Sequence, residues 1–165
     1  MDLHLAGKKV IVTGASKGIG LAIANEFAKE GASVSICARG RDSLESAREL
    51  IAGNGGNVYA DICDVSDKKN LIKYIENAVQ TLGGLNILVN NPSGFGRSDD
   101  EDGWQVGLDV DLMALVRASW TAVPFIEKSG GGAIIHTSSI SGLTSSLRTP
   151  PYGAVKAAVI QYTKT

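Results

Sequence analysis

The chain has 165 residues, about one domain's worth, and its 16 Lys+Arg nearly balance its 17 Asp+Glu, leaving a formal charge of −1. That balance argues against a nucleic-acid binder, which normally presents a basic face, and 44% hydrophobic residues argue against a disordered chain. Glycine is in excess, 20 residues and about 12% against a norm of roughly 7%; without a G-X-Y period, these glycines serve loops or the close approach of a ligand to the backbone.

Hydrophobic periodicity switches regularly along the chain. Lys9-Val10-Ile11-Val12-Thr13 is a short apolar run, followed by a glycine-rich turn and a helix in which Ile19, Ile23 and Phe27 share one face. Gly31 ends that helix. Residues 33–38 read as a second strand and residues 42–52 as a second helix, capped by Asp42 or Ser43, with Leu44, Ala47, Leu50 and Ile51 inward. The alternation continues with a strand over 57–61, a helix over 66–82 opened by Ser66, and a strand over 85–90. A long helix over 102–128, a fifth strand over 132–138 and a sixth helix beginning near Tyr152 complete the series. Strands apolar on both faces and separated by helices predict an α/β fold: a doubly wound, Rossmann-type parallel sheet in a three-layer αβα sandwich, as one domain over 1–165.

The long helix carries two apolar rows, one of Leu108, Leu112, Leu115, Ala122 and Ile126 and another of Val106, Val110, Met113, Trp120 and Val123. A helix packed only on a sheet needs one row, so the second predicts a partner surface and a homo-oligomer, dimer or tetramer. No signal-peptide pattern opens the chain, and no apolar run approaches the roughly 20 residues that span a bilayer. A cytoplasmic protein without membrane or nucleic-acid partners is expected. Cys37 and Cys63 lack metal-ligand spacing and read as buried thiols. His4 and His136 are isolated, and no metal site is predicted.

The turn after the first strand reads Thr13-Gly14-Ala15-Ser16-Lys17-Gly18-Ile19-Gly20. Its glycines allow tight turning, and the helix N-terminus behind it offers unpaired N–H groups and partial positive charge to a pyrophosphate. The second strand ends Ile36-Cys37-Ala38-Arg39, with a guanidinium where an acidic residue would accept ribose hydroxyls and repel a 2′-phosphate. Further on, Tyr152 and Lys156 project from one face of a helix. A free phenol titrates near pH 10, and a neighbouring ammonium favours its phenolate, which suits it to exchange protons near neutrality.

In this order and spacing, Thr13 to Gly20, Asp64, Leu88-Val89-Asn90-Asn91, Ser138-Ser139 and Tyr152-Gly153-Ala154-Val155-Lys156 resemble the short-chain dehydrogenases/reductases of the typical single-domain type. The resemblance spans nearly the whole chain and extends to reductases of 3-oxoacyl thioesters. It implies a nicotinamide cofactor held by Gly14, Ser16, Lys17, Gly18, Ile19, Gly20, Arg39, Asp64, Val65, Asn91, Tyr152 and Lys156. In the family, basic residues at the positions of Lys17 and Arg39 go with NADP(H). Tyr152 is implied as general acid/base, Ser139 as the group that orients the substrate oxygen, and Lys156 as the holder of the nicotinamide ribose. The expected activity is hydride transfer between nicotinamide and a small carbonyl or secondary alcohol.

Two departures touch the site. The family's Asn-Asn-Ala-Gly reads Asn90-Asn91-Pro92-Ser93-Gly94, where proline removes an N–H. Asp111 replaces an asparagine whose backbone holds a water in the family's proton relay; the exchange is neutral if backbone does that work, and electrostatic if the carboxylate faces Lys156. The resemblance also implies two further strands after residue 165, so the chain reads as C-terminally truncated. A catalytically incomplete fragment and a nucleotide-binding scaffold or regulatory protein without turnover are the rival readings.

Overall fold

The computed structural model describes residues 3–165. Five parallel strands, β1 (Lys9–Thr13), β2 (Ser33–Ala38), β3 (Asn57–Ile62), β4 (Ile87–Asn90) and β5 (Ala133–His136), lie in the order β3-β2-β1-β4-β5. Val12 sits in register with Ile36 on one side and Val89 on the other, and Val89 with Ile135. The order reverses between β1 and β4, the topological switch point at which open α/β sheets bind ligands beyond their carboxyl ends.

Alternation along β1 divides the core. Val10 and Val12 meet helices α1 (Gly18–Lys29) and α2 (Arg41–Gly53), whereas Ile11 meets α3 (Lys68–Leu82) and the long helical segment. All three side chains are fully buried, each worth about 1.5–3 kcal/mol of transfer free energy. On the α3 side the Ser35 and Tyr74 hydroxyls hydrogen-bond at 2.7 Å, which satisfies the only polar groups these two side chains bring into that layer.

Several local expectations change. α1 sets Gly20, Ala24 and Ala28 deepest against the sheet, and of the expected face Ile23 and Phe27 pack half-buried on the same core while Ile19 is 65% exposed. Small residues win because the helix must approach β1 closely. Leu50 faces outward while Leu44, Ala47 and Ile51 are buried, and α2 opens at Gly40 with no side-chain cap from Asp42 or Ser43. Asp67, not Ser66, caps α3, accepting from the N–H groups of Lys69 and Asn70 at 2.8 and 3.0 Å.

The long helix is three pieces: α4 (Glu101–Val106), a π-helical stretch (Gly107–Met113) and α5 (Ala114–Lys128). The wider π turn shifts the facing of residues on either side, so neither expected apolar row runs unbroken. Leu115, Ala122 and Ile126 are buried, whereas Leu108, Val106, Val123 and Trp120 are 39–64% exposed. A 3₁₀ turn (Ile140–Gly142) and α6 (Pro150–Tyr162) finish the described chain. Strand β5 is a sheet edge with Ile135 exposed. Among the described residues no helix is long and apolar enough to cross a membrane, and no three metal-ligating side chains cluster.

Candidate active site

A groove of about 700 Å³ opens beyond the carboxyl ends of β1 to β4. Of the residues predicted to hold a cofactor, Gly14, Ser16, Lys17, Arg39, Asp64, Val65 and Asn91 line it. Gly18, Ile19 and Gly20 instead form the first turn of α1 just behind. Gly14 has φ +65°, and a side chain there would also meet Pro92 Cβ at 2.9 Å. A Cβ on Gly20 would strike the Gly14 carbonyl and Asn91 Nδ2. The proline that departs from the family pattern thus packs on the glycine turn, and its missing N–H leaves no broken ladder because β4 ends at Asn90.

Helices α1 and α2 both start at this groove and neither has a side-chain cap, whereas α3 and α4 are capped by Asp67 and Asp100. Their leading N–H groups thus face the groove without a protein carboxylate upon them. Lys17 and Arg39 are exposed at the same end, and neither forms an ion pair among the described residues. Asp64 does not cap α3. It accepts from the Ser66 N–H and hydroxyl at 3.0 and 2.7 Å, and these bonds, with attraction from Arg39, hold its carboxyl below the usual range.

Asn91 ties the turn to the neighbouring strands. Its Nδ2 donates to the Gly14 carbonyl at 2.9 Å, and its Oδ1 accepts from the Thr137 hydroxyl at 3.4 Å. Asn90 meets Nδ1 of His136 at 3.2 Å, linking β4 to β5, and half-burial lowers the pKa of His136.

The reacting groups predicted from sequence stand at the other end of the same sheet edge. The Lys156 ammonium is buried on α6, donates to the Thr137 carbonyl at 3.0 Å and lies 5.7 Å from the centroid of the Tyr152 ring. Ser138 donates to the Lys156 carbonyl at 3.1 Å, fastening α6 to the end of β5. Ser139 accepts from the Ser141 N–H at 3.2 Å and caps the 3₁₀ turn, leaving its own hydroxyl hydrogen to donate.

Asp111 resolves the second departure. The π-helical stretch turns it inward, where its side chain is fully buried and lies 3.1 Å from the Lys156 ammonium. The contact is ionic, since Oδ1 makes no hydrogen bond within the protein. Its Oδ2 accepts from the Gly94 N–H at 2.8 Å. Gly94 and Asn91 both line the groove, so this one carboxylate joins the groove wall to the lysine.

Three contributors escaped sequence reasoning. The Thr137 carbonyl and the Gly94 N–H are backbone groups and carry no residue-type signal. Phe95 is the third: at φ +48° it lays its ring 4.6 Å from that of Tyr152, with Arg97 over Phe95 at 5.0 Å. A non-glycine residue in the left-handed region is the kind of outlier found at sites, but only a fold reveals it.

A family model described as short chain dehydrogenase matches residues 8–165. The human protein "Dehydrogenase/reductase SDR family member 4" is 34% identical over 166 residues, covering 98% of this chain and 60% of that protein. "3-oxoacyl-[acyl-carrier-protein] reductase FabG" of Thermotoga maritima is 32% identical, covering 99% and 68%. Among solved structures, L-sorbose reductase from Gluconobacter frateurii, complexed with NADPH and L-sorbose, superposes with a TM-score of 0.95 at 36% identity over 99% of this chain and 64% of that one. A 7α-hydroxysteroid dehydrogenase complexed with NADH and 7-oxo glycochenodeoxycholic acid superposes with a TM-score of 0.93 at 30% identity, covering 98% and 64%. The chain spans about 60% of the length of the first curated relatives it matches.

Proposed function

The chain belongs to the short-chain dehydrogenase family, and from that premise we propose that it is an NADP(H)-dependent oxidoreductase acting on a small carbonyl compound or secondary alcohol. One observation carries the reading. The groove flanked by Lys17 and Arg39 and the Tyr152–Lys156 pair occupy one sheet edge, joined through Gly94 and Asp111.

The residues suit the cofactor. A Cβ on Gly18 would meet nothing within 4 Å, the α1 and α2 N-termini are free of side-chain caps, and two cations stand beside them. Gly14, Ser16 and the first turn of α1 (Gly18, Ile19 and Gly20) would hold the pyrophosphate. Arg39 and Lys17 would take the 2′-phosphate, Asp64 and Val65 the adenine, and Asn91 the region nearer the nicotinamide. When bound, the nicotinamide supplies or accepts a hydride. Lys156 would hold the ribose hydroxyls, and Ser139 would donate to the substrate oxygen and orient it. Tyr152 would give that oxygen a proton in reduction or take one in oxidation. A 3-oxoacyl thioester is the first substrate to try, in keeping with one relative's name.

Trp120 and Val123, 64% and 40% exposed on α5, support association into a homo-oligomer through this helix. The free, buried thiols of Cys37 and Cys63 suit a reducing cytoplasm.

Binding titrations with NADPH and NADH, followed by NADPH oxidation against a panel of ketones, test the reading. NADPH is expected to bind more tightly, and Arg39→Ala to weaken it about tenfold or more while sparing NADH, as loss of a charge-assisted phosphate contact requires. Tighter NADH binding would refute the cofactor assignment. A second reading, cofactor binding without turnover, draws on Ile140, Leu143 and Leu147, which are 69%, 70% and 89% exposed after β5 and leave that flank open. NADPH binding with no oxidation of any ketone would favour it.

A further inference from the structure

Asp111 places a negative charge inside the site, and the charge balance of the buried groups bears on the role of Tyr152. We propose that Asp111 is a positioning residue that neutralises Lys156 and so sets Tyr152 to donate its proton to a carbonyl oxygen, favouring reduction over alcohol oxidation. The inference rests on the oxidoreductase reading above and adds a direction to it.

The geometry isolates the relevant charges. The side chains of Lys156 and Asp111 are 3% and 0% exposed, so solvent hardly screens either of them. From the π-helical stretch the ammonium meets the Asp111 carboxylate, from the end of β5 the Thr137 carbonyl, and from its own helix the Tyr152 ring. His136 and Asn90, which bond to one another on β5 and β4, add no positive charge at neutral pH, since burial holds His136 in its neutral form. Tyr152 meets the uncharged Phe95 ring, and the Arg97 cation over that Phe95 ring is exposed.

Counting charge then separates two designs. With a lone lysine, the buried ammonium stands uncompensated beside the half-buried Tyr152 ring, and ionisation of the phenol relieves that charge. With Asp111 paired to Lys156, the phenol state is neutral and the phenolate state carries −1. The buried carboxylate offsets the pull of the ammonium on a phenolate, so the second arrangement keeps the proton on Tyr152 until a substrate oxygen needs it. In that step the Oη–H bond breaks, the proton passes to the substrate oxygen, and the electron pair stays on Oη. The phenolate then recovers a proton from solvent. The Gly94 N–H holds the other carboxylate oxygen, so Asp111 cannot swing away without also releasing the groove wall.

Asp111→Asn keeps the shape and an acceptor for Gly94 while removing the charge. The cofactor-free chain has 4 tyrosines, and subtracting the alkaline tyrosinate absorbance of Tyr152→Phe from that of the unaltered protein isolates Tyr152. We expect no Tyr152 phenolate at neutral pH in the unaltered protein. In Asp111→Asn, Tyr152 ionisation should move to lower pH by about one unit or more, as expected when the carboxylate that offsets a neighbouring ammonium is removed. Superimposable titrations would overturn the proposal, as would a phenolate signal at neutral pH in the unaltered protein. That last comparison can overturn the proposal even if Asp111→Asn does not fold. At saturating substrate and cofactor, Asp111→Asn should raise the ratio of the kcat for alcohol oxidation to the kcat for carbonyl reduction at neutral pH, and an unchanged ratio would count against the proposal. The titration needs no cofactor, so a protein with the Asp111 effect but no turnover would sink the oxidoreductase reading and leave the charge coupling standing.

Discussion

Up to Asn90 the chain shapes its share of the groove with backbone and small side chains, whereas beyond it the candidate site gathers a buried ion pair and two partly exposed aromatic rings. In the first region Gly14 and Gly20 let α1 close on β1 and Asn91, the α1 and α2 N-termini stay uncapped, and the β1 and β2 core residues are fully buried. In the second region a π-helical stretch turns Asp111 onto Lys156, a strained Phe95 covers Tyr152, and β5 is left at the sheet edge. The contrast is between a surface defined by the close packing of Gly14 and Gly20 and a centre defined by a buried ion pair.

Tyr152→Phe would show that contrast at its largest. The ring keeps its packing on Phe95, so folding should barely move and NADPH affinity should fall far less than ketone reduction, which drops by about 10²–10⁴-fold, the usual contribution of a placed acid. Parallel melting, NADPH titration and rate measurements check it, and an equal loss of NADPH affinity would erase the distinction between the two regions. Gly14→Ala should do the reverse. Its φ of +65° and the Pro92 Cβ at 2.9 Å predict a loss of about 1–3 kcal/mol in stability, read by denaturant unfolding, together with weakened NADPH binding. An unchanged midpoint would mean that the turn yields more than its packing implies.

The smallest effect concerns His136 at the junction. Burial depresses its folded-state pKa, so below about pH 6.5 the unfolded chain binds more protons than the folded one. The His136 contribution to stability is therefore full above that pH and is lost as the pH falls through the folded-state value. Melting curves across mildly acid pH should slope accordingly, and His136→Asn should flatten that slope. Asp64, whose carboxyl is held low by Ser66, contributes in a separate window: its share is present above about pH 3.9 and is lost at more acid pH.

All five strands and their helices were readable in order because buried parallel strands and amphipathic helices leave different periods in the chain. The turn from Gly14 to Gly20 was readable because backbone conformation there restricts residue type. Errors gathered where two residues could do one job. Ser66 and Asp67 both offer a cap, and Asp67 wins through bonds to two N–H groups. Ile19, Ile23 and Phe27 have the right spacing, and Ile23 and Phe27 do pack on the core, yet α1 lays Gly20, Ala24 and Ala28 closest to the sheet and leaves Ile19 outside.

By itself the sequence determined the α/β architecture, the glycine turn and the tyrosine–lysine pair, all of which follow from local spacing. It also showed that Asp111 and Pro92 depart from the family pattern, but not what those departures do. Only the tertiary structure decided that the Asp111 carboxylate faces Lys156, that Pro92 rests on Gly14, and that Phe95 lies over Tyr152. Each of these contacts joins segments separated along the chain and depends on where helices settle on the sheet, which the local pattern of residue types does not encode.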